Sequence, residues 1–116
     1  MHSIWFNLRV RRGVTRDEVL EKLQANKYVA LTEKTMASTV FSFGRDHGYF
    51  GRLLNQTVVS MPTLIVRDGH EITGFCFTPQ DGNSLLSSIT AAAWFLDADA
   101  YEKHLQCMTP YLFDEV

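Results

Sequence analysis

Four polar residues in one short stretch could do chemistry. Arg45, Asp46, His47 and Arg52 stand among Gly44, Gly48 and Gly51 and the aromatics Tyr49 and Phe50. Glycine lets backbone amides approach an anion, arginine grips a phosphate or carboxylate through two parallel bonds, and a histidine beside an aspartate can serve as an oriented acid–base pair. Arg45, His47 and Arg52 are therefore the candidate anion-binding residues. The plainer alternative is a solvated glycine loop whose charges pair with one another. It is favoured, because the spacing fixes no third partner. A second polar cluster, Thr78-Pro79-Gln80-Asp81-Gly82-Asn83, joins the end of an apolar strand to a helix start, where ligands often bind on free amides. Any α/β protein needs such a turn, so capping alone is the favoured account there. Arg9, Arg11 and Arg12 form a short basic run that reads as a solvated strand end.

Neither cysteine reads as a nucleophile. Cys76 lies in an alternating strand, without the positive surroundings that lower a thiol pKa, and Cys107 has no CxxC or Cys-His spacing around it. His2, His47, His70 and His104 are scattered, so no metal site is supported.

Composition narrows the class. With 116 residues, 46% hydrophobic and 21% charged, the chain is long enough for one globular domain with a real core and too short for several. Eleven basic side chains against thirteen acidic ones give a net charge of −2, which argues against a nucleic-acid partner or an acidic membrane surface. Two cysteines make no disulfide framework, and the opening MHSIWFNLRVRR lacks the features of a signal peptide, so a reducing, cytoplasmic setting is expected. No apolar run approaches the roughly 20 residues of a membrane span; Ile89 to Leu96 reads as a core helix.

The elements that must carry these residues follow from periodicity. Ile4, Phe6, Leu8 and Val10 alternate with Trp5, Asn7 and Arg9, a strand over 3–10 with one face inward. Thr15 and Glu18 fit a capping box for a helix from about Arg16 to Ala25, with Val19, Leu20 and Leu23 as its apolar stripe and Asn26 as a left-handed C-cap. Strands are expected over 28–31 and, briefly, 39–43, followed by a glycine loop from Gly44 to Gly51. Residues 56–60 and 63–67 are β-rich. Asp68-Gly69, between Leu64-Ile65-Val66 and the run from Ile72 to Phe77, predicts a tight hairpin. Asn83 or Ser84 would cap a helix ending at Leu96, and residues 97–116 would form a frayed or short-helical tail broken at Pro110. The expected fold is α+β: a mostly antiparallel mixed sheet with helices packed on one face, a single domain over 1–96 and a tail over 97–116.

This order of elements and several strings resemble the C-terminal part of the catalytic domain of glyceraldehyde-3-phosphate dehydrogenases. Ile4-Trp5-Phe6-Asn7-Leu8-Arg9-Val10, followed by Thr15-Arg16-Asp17-Glu18-Val19, is similar to the family's long strand and the "TxEEV" helix start after it. Tyr28-Val29-Ala30-Leu31-Thr32-Glu33 is similar to "ILGYTE", and Gly44-Arg45-Asp46-His47 with Phe50 to "GDTHSSIF". Phe75-Cys76-Phe77-Thr78-Pro79-Gln80-Asp81-Gly82 stands where the last strand and the "YDNExGYS" turn would be. The likeness covers roughly residues 2 to 96. It implies a piece of an oxidoreductase whose catalytic cysteine, activating histidine and nucleotide-binding domain lie in a missing N-terminal segment. The full-length protein would use NAD or NADP, while this chain alone would bind none and catalyse nothing. The family's asparagine that contacts nicotinamide has no match in the turn, which leaves Gln80 or Asn83 as the cofactor-binding candidates. The resemblance also implies a homo-oligomer formed through the sheet face, including Trp5 and Phe75. The alternative is a free-standing α+β module that binds a ligand or a protein without catalysis.

Overall fold

The computed structural model describes residues 1–49, 56–79 and 85–116. In chain order these form β1 (His2–Arg9), α1 (Arg16–Gln24), β2 (Val29–Thr32), α2 (Ala37–His47), β3 (Thr57–Ser60), β4 (Ile65–Arg67), β5 (Glu71–Thr78), α3 (Leu85–Leu96) and α4 (Tyr101–His104). Two 3-10 turns, Met61–Thr63 and Leu105–Tyr111, complete them. The fold is α+β, and its mixed sheet is mostly antiparallel. β5 is the central strand, pairing with β1 along its whole length on one side and with β3 and β4 at its two ends on the other. β2 lies outside β3 and runs parallel to it.

The hairpin forms where Asp68-Gly69 predicts it. Asp68 and Gly69 both have positive φ, 50° and 70°, as a primed two-residue turn requires, and the His70 amide closes it on the Arg67 carbonyl at 3.0 Å. Helix α1 also starts as expected. The Glu18 amide donates to Thr15 Oγ1 at 3.2 Å, and the Thr15 amide donates to Glu18 Oε2 at 2.8 Å, a reciprocal capping box. Its end differs: Ala25 caps in a right-handed conformation, and Asn26 instead accepts the Tyr28 amide on its side-chain oxygen at 3.0 Å. Arg16 ties α1 to the turn between β3 and β4, donating to the Leu64 and Met61 carbonyls at 3.2 and 2.8 Å.

The region of residues 37–48 departs most from expectation. Instead of a strand over 39–43 and a loop from Gly44, one helix, α2, runs from Ala37 to His47. Thr39, Val40, Phe41 and Phe43 favour a strand locally, but Ala37, Val40, Phe43 and Gly44 also fall on one helical face. Parallel β2 and β3 need a crossover between them, and a helix that buries Val40 fully supplies it.

Helices are also divided between the two faces of the sheet rather than gathered on one. Leu31, Val59 and Cys76 pack with Phe6 and with Leu20 and Leu23 of α1, whereas Ala30, Val58 and Phe77 pack with Val40, Ala37 and Phe43 of α2. Successive residues of β2, β3 and β5 are thus apolar on both sides, as in a strand covered twice. Gly74 serves the first face. A Cβ there would stand 2.9 Å from Phe6 Cζ, so the glycine lets the Phe6 ring lie across β5.

The chain beyond Leu96 is docked. Pro110 lies inside a 3-10 turn instead of breaking the segment, and Leu105 is buried. Residues 114–116 then run beside β2: the Leu31 amide donates to the Asp114 carbonyl at 3.0 Å and the Val116 amide to the Leu31 carbonyl at 2.8 Å. Val116 joins the core under α2, and Thr32 Oγ1 donates to its backbone oxygen.

Candidate functional site

Two of the three candidate anion-binding residues, Arg45 and His47, sit on the last turn of α2. Arg45 donates to Asp46 through Nε at 2.7 Å and Nη2 at 3.1 Å, a fork closed within the helix surface. That pairing holds the Asp46 carboxyl below its usual range and raises the Arg45 guanidinium. His47 packs its ring against Phe43, with centroids 4.8 Å apart. Gly44 is buried inside the helix, and its carbonyl accepts the Gly48 amide at 2.9 Å. The glycine loop expected from Gly44 to Gly51 is therefore helical backbone as far as His47, with Gly48 as an extended C-cap and Phe50 and Gly51 outside the described residues. The C-terminal end of a helix carries partial negative charge, which Arg45 and His47 complement. Arg52, Gln80 and Asn83 lie outside the described residues, as does the expected cap of α3 at Asn83 or Ser84.

The sulfur and imidazole groups do not converge. Cys76 is buried against Leu31 and Val59, and burial pushes its thiol pKa up, the opposite of an activated nucleophile. Exposed Cys107 donates to the His104 carbonyl at 3.3 Å, and His104 Nε2 meets Asp97 Oδ2 at 3.2 Å. His70 holds the Val10 carbonyl through Nδ1 at 3.1 Å, which ties the hairpin tip to the end of β1. Among the described residues no three metal-binding side chains come together, and no helix is long and apolar enough to cross a membrane.

What the fold does present is apolar surface. Trp5 of β1 and Phe75 of β5 are register partners and both are exposed, and with Ile65 and Thr63 they line a groove of about 500 Å³. A second groove, of about 550 Å³, opens between α3 and α4 and is lined by Tyr28, Thr90, Trp94 and Tyr101. A core helix is expected over 89–96, yet from Leu86 to Leu96 only Leu86 and Ala93 are buried, while Phe95 and Leu96 are 81% and 87% exposed. The absence of charge from Leu85 to Leu96 signals that this helix has apolar residues all round, which one buried face cannot cover. No family model, curated protein or solved structure matches the chain.

Proposed function

We propose that this chain is the C-terminal portion of the catalytic and oligomerisation domain of a glyceraldehyde-3-phosphate dehydrogenase-like oxidoreductase. The observation that carries the reading is a sheet left open on one side. Among the described residues β1 pairs only with β5, seven of its eight residues are exposed, and Trp5, Phe75 and Ile65 stand half in water. A sheet of this kind is what a domain looks like when part of its own chain or a partner subunit covers the rest. In this reading the reactive thiolate and the NAD- or NADP-binding domain belong to an upstream segment. The chain contributes the sheet face through which subunits associate, and alone it is inert.

The test is the size of the native product, measured by immunoblot with an antibody raised against this chain. A product several times larger than 13.2 kDa is expected. A native product of 13.2 kDa would overturn the reading. The isolated chain should also show no saturable uptake of NAD+ or phosphate by calorimetry, before or after Arg45→Ala with His47→Ala.

A second reading, a free-standing interaction module, is favoured by α3. A helix with no charged residue and with Trp94, Phe95 and Leu96 in solvent suits a protein partner. A native product of 13.2 kDa would bring this reading forward.

A further inference from the structure

The two edges of the sheet are treated differently. The chain covers the β2 edge itself, with Asp114, Glu115 and Val116 laid beside Leu31. The β1 edge has no such cover among the described residues. β1 is eight residues long, contains no proline, and carries no formal charge between Ser3 and Leu8. Short length, proline, bulges and charge are the devices by which proteins blunt an edge, and β1 uses none of them before Arg9.

The direction of its free groups can be read from the ladder. The Val10 amide donates to the His70 carbonyl at 2.9 Å, continuing the β1·β5 register. Alternation then turns the amides of His2, Ile4, Phe6 and Leu8 toward β5 and those of Ser3, Trp5, Asn7 and Arg9 toward the open edge. The same alternation governs the far side of β5, where the Phe75 amide donates to Thr63 Oγ1 at 2.9 Å.

We infer that β1 is a self-pairing edge, which joins two copies of this chain antiparallel across a two-fold axis through Phe6. Outward groups pair only with outward groups, so the allowed registers set odd residues against odd. With the axis at Phe6, Trp5 faces Asn7 of the second copy and Ser3 faces its Arg9, an arrangement of about eight main-chain bonds. Ile4 then meets Leu8 of the second copy, and the two Phe6 backbones face each other, in the closer, non-hydrogen-bonded pairs, while each Phe6 ring stays across its own β5. Ile4 and Leu8 are 43% and 54% exposed in the single chain, so this register covers apolar surface that is otherwise wet. It also keeps the two Arg9 guanidinium groups at opposite ends of the ribbon, roughly 20 Å apart. A two-faced strand pair about 26 Å long buries on the order of 1,000 Å² over both copies, the lower range of a specific interface. The inference goes beyond the proposed function: it concerns the 116-residue chain on its own and requires no upstream segment.

Sedimentation and light scattering on the purified chain, with amide hydrogen exchange at two concentrations, test it. The expected result is a particle of twice 13.2 kDa. Amide protection at Ser3, Trp5, Asn7 and Arg9 should rise with concentration, while Ile4, Phe6 and Leu8 stay protected throughout. Ile4→Lys with Leu8→Lys, at two exposed positions, should weaken association at least tenfold and leave the circular dichroism and unfolding midpoint of the monomer unchanged. Three outcomes would overturn the inference. One is a wild-type chain that stays monomeric at about 0.1 mM. Another is a dimer whose odd-numbered β1 amides exchange freely, as association through Trp94, Phe95 and Leu96 would leave them. The third is a dimer that the lysine pair does not weaken.

Discussion

Gln56 and Phe113 are joined by a reciprocal amide pair: Gln56 Nε2 donates to the Phe113 carbonyl and the Phe113 amide donates to Gln56 Oε1, both at 2.7 Å. The same Nε2 donates to the Lys27 carbonyl at 3.2 Å. A buried glutamine side chain thus satisfies three backbone groups and fastens the last residues of the chain beside β2.

Replacing Gln56 with leucine keeps the volume and strands those three groups. Buried polar groups without partners cost about 1–3 kcal/mol each, and relaxation of the terminus toward water recovers part of it, so Gln56→Leu should cost about 2–3 kcal/mol. Urea unfolding would measure the loss, and carboxypeptidase should trim residues 114–116 faster in the variant. Unchanged trimming would mean that the terminus is held without Gln56.

Gly74 is a packing position on β5. The Cβ of Gly74→Ala would press on Phe6 Cζ at 2.9 Å and Leu64 Cδ1 at 3.4 Å, and the Phe6 side chain is already packed against the core cluster that includes Cys76. Overpacking of this kind costs about 1–3 kcal/mol. Gly74→Ala with Phe6→Leu should recover part of that loss in a double-mutant cycle, whereas strict additivity of the two would show that the ring is not what the methyl meets.

The start of α1 carries a pH dependence. Bonds from the Thr15 amide, with smaller help from the Thr15 hydroxyl and Arg12, hold the Glu18 carboxyl below its usual range. A carboxyl lowered on folding stabilises above its unfolded pKa, about 4.3, and that contribution is lost as pH falls through the lower folded value. Wild type should therefore lose stability relative to Glu18→Gln as the pH drops below about 4.3. Thr15→Ala, which removes the cap from the other side, should cost about 1 kcal/mol at neutral pH. Parallel pH profiles for wild type and Glu18→Gln would count against the carboxylate's part in the box.

Much of this protein is written in short-range chemistry. Thr15 and Glu18 specify a helix start through contacts three residues apart, and Asp68-Gly69 specifies a turn through the positive φ that only such residues adopt easily. Alternation along β1 and the apolar run of β5 on the far side of the turn are equally local, so those strands and the hairpin were legible from residue order. The candidate site was less so. Arg45 and Asp46 pair with each other, as the favoured alternative expects, but they do so on a helix end where the neighbouring glycines suggest a loop.

Tertiary structure decided what local pattern leaves ambiguous. Residues 37–47 satisfy both a strand and a helix, and the parallel pairing of β2 with β3 made the helix necessary, because a crossover must pass over the sheet. The terminus from Phe113 to Val116 carries no signal for a sheet edge; it lies there because Gln56, Leu31 and Thr32 supply distant backbone and side-chain partners. The exposure of Trp94, Phe95 and Leu96 is likewise a matter of what stands opposite them in space. Residue types state how strongly a surface seeks cover, and only packing determines whether the chain provides it.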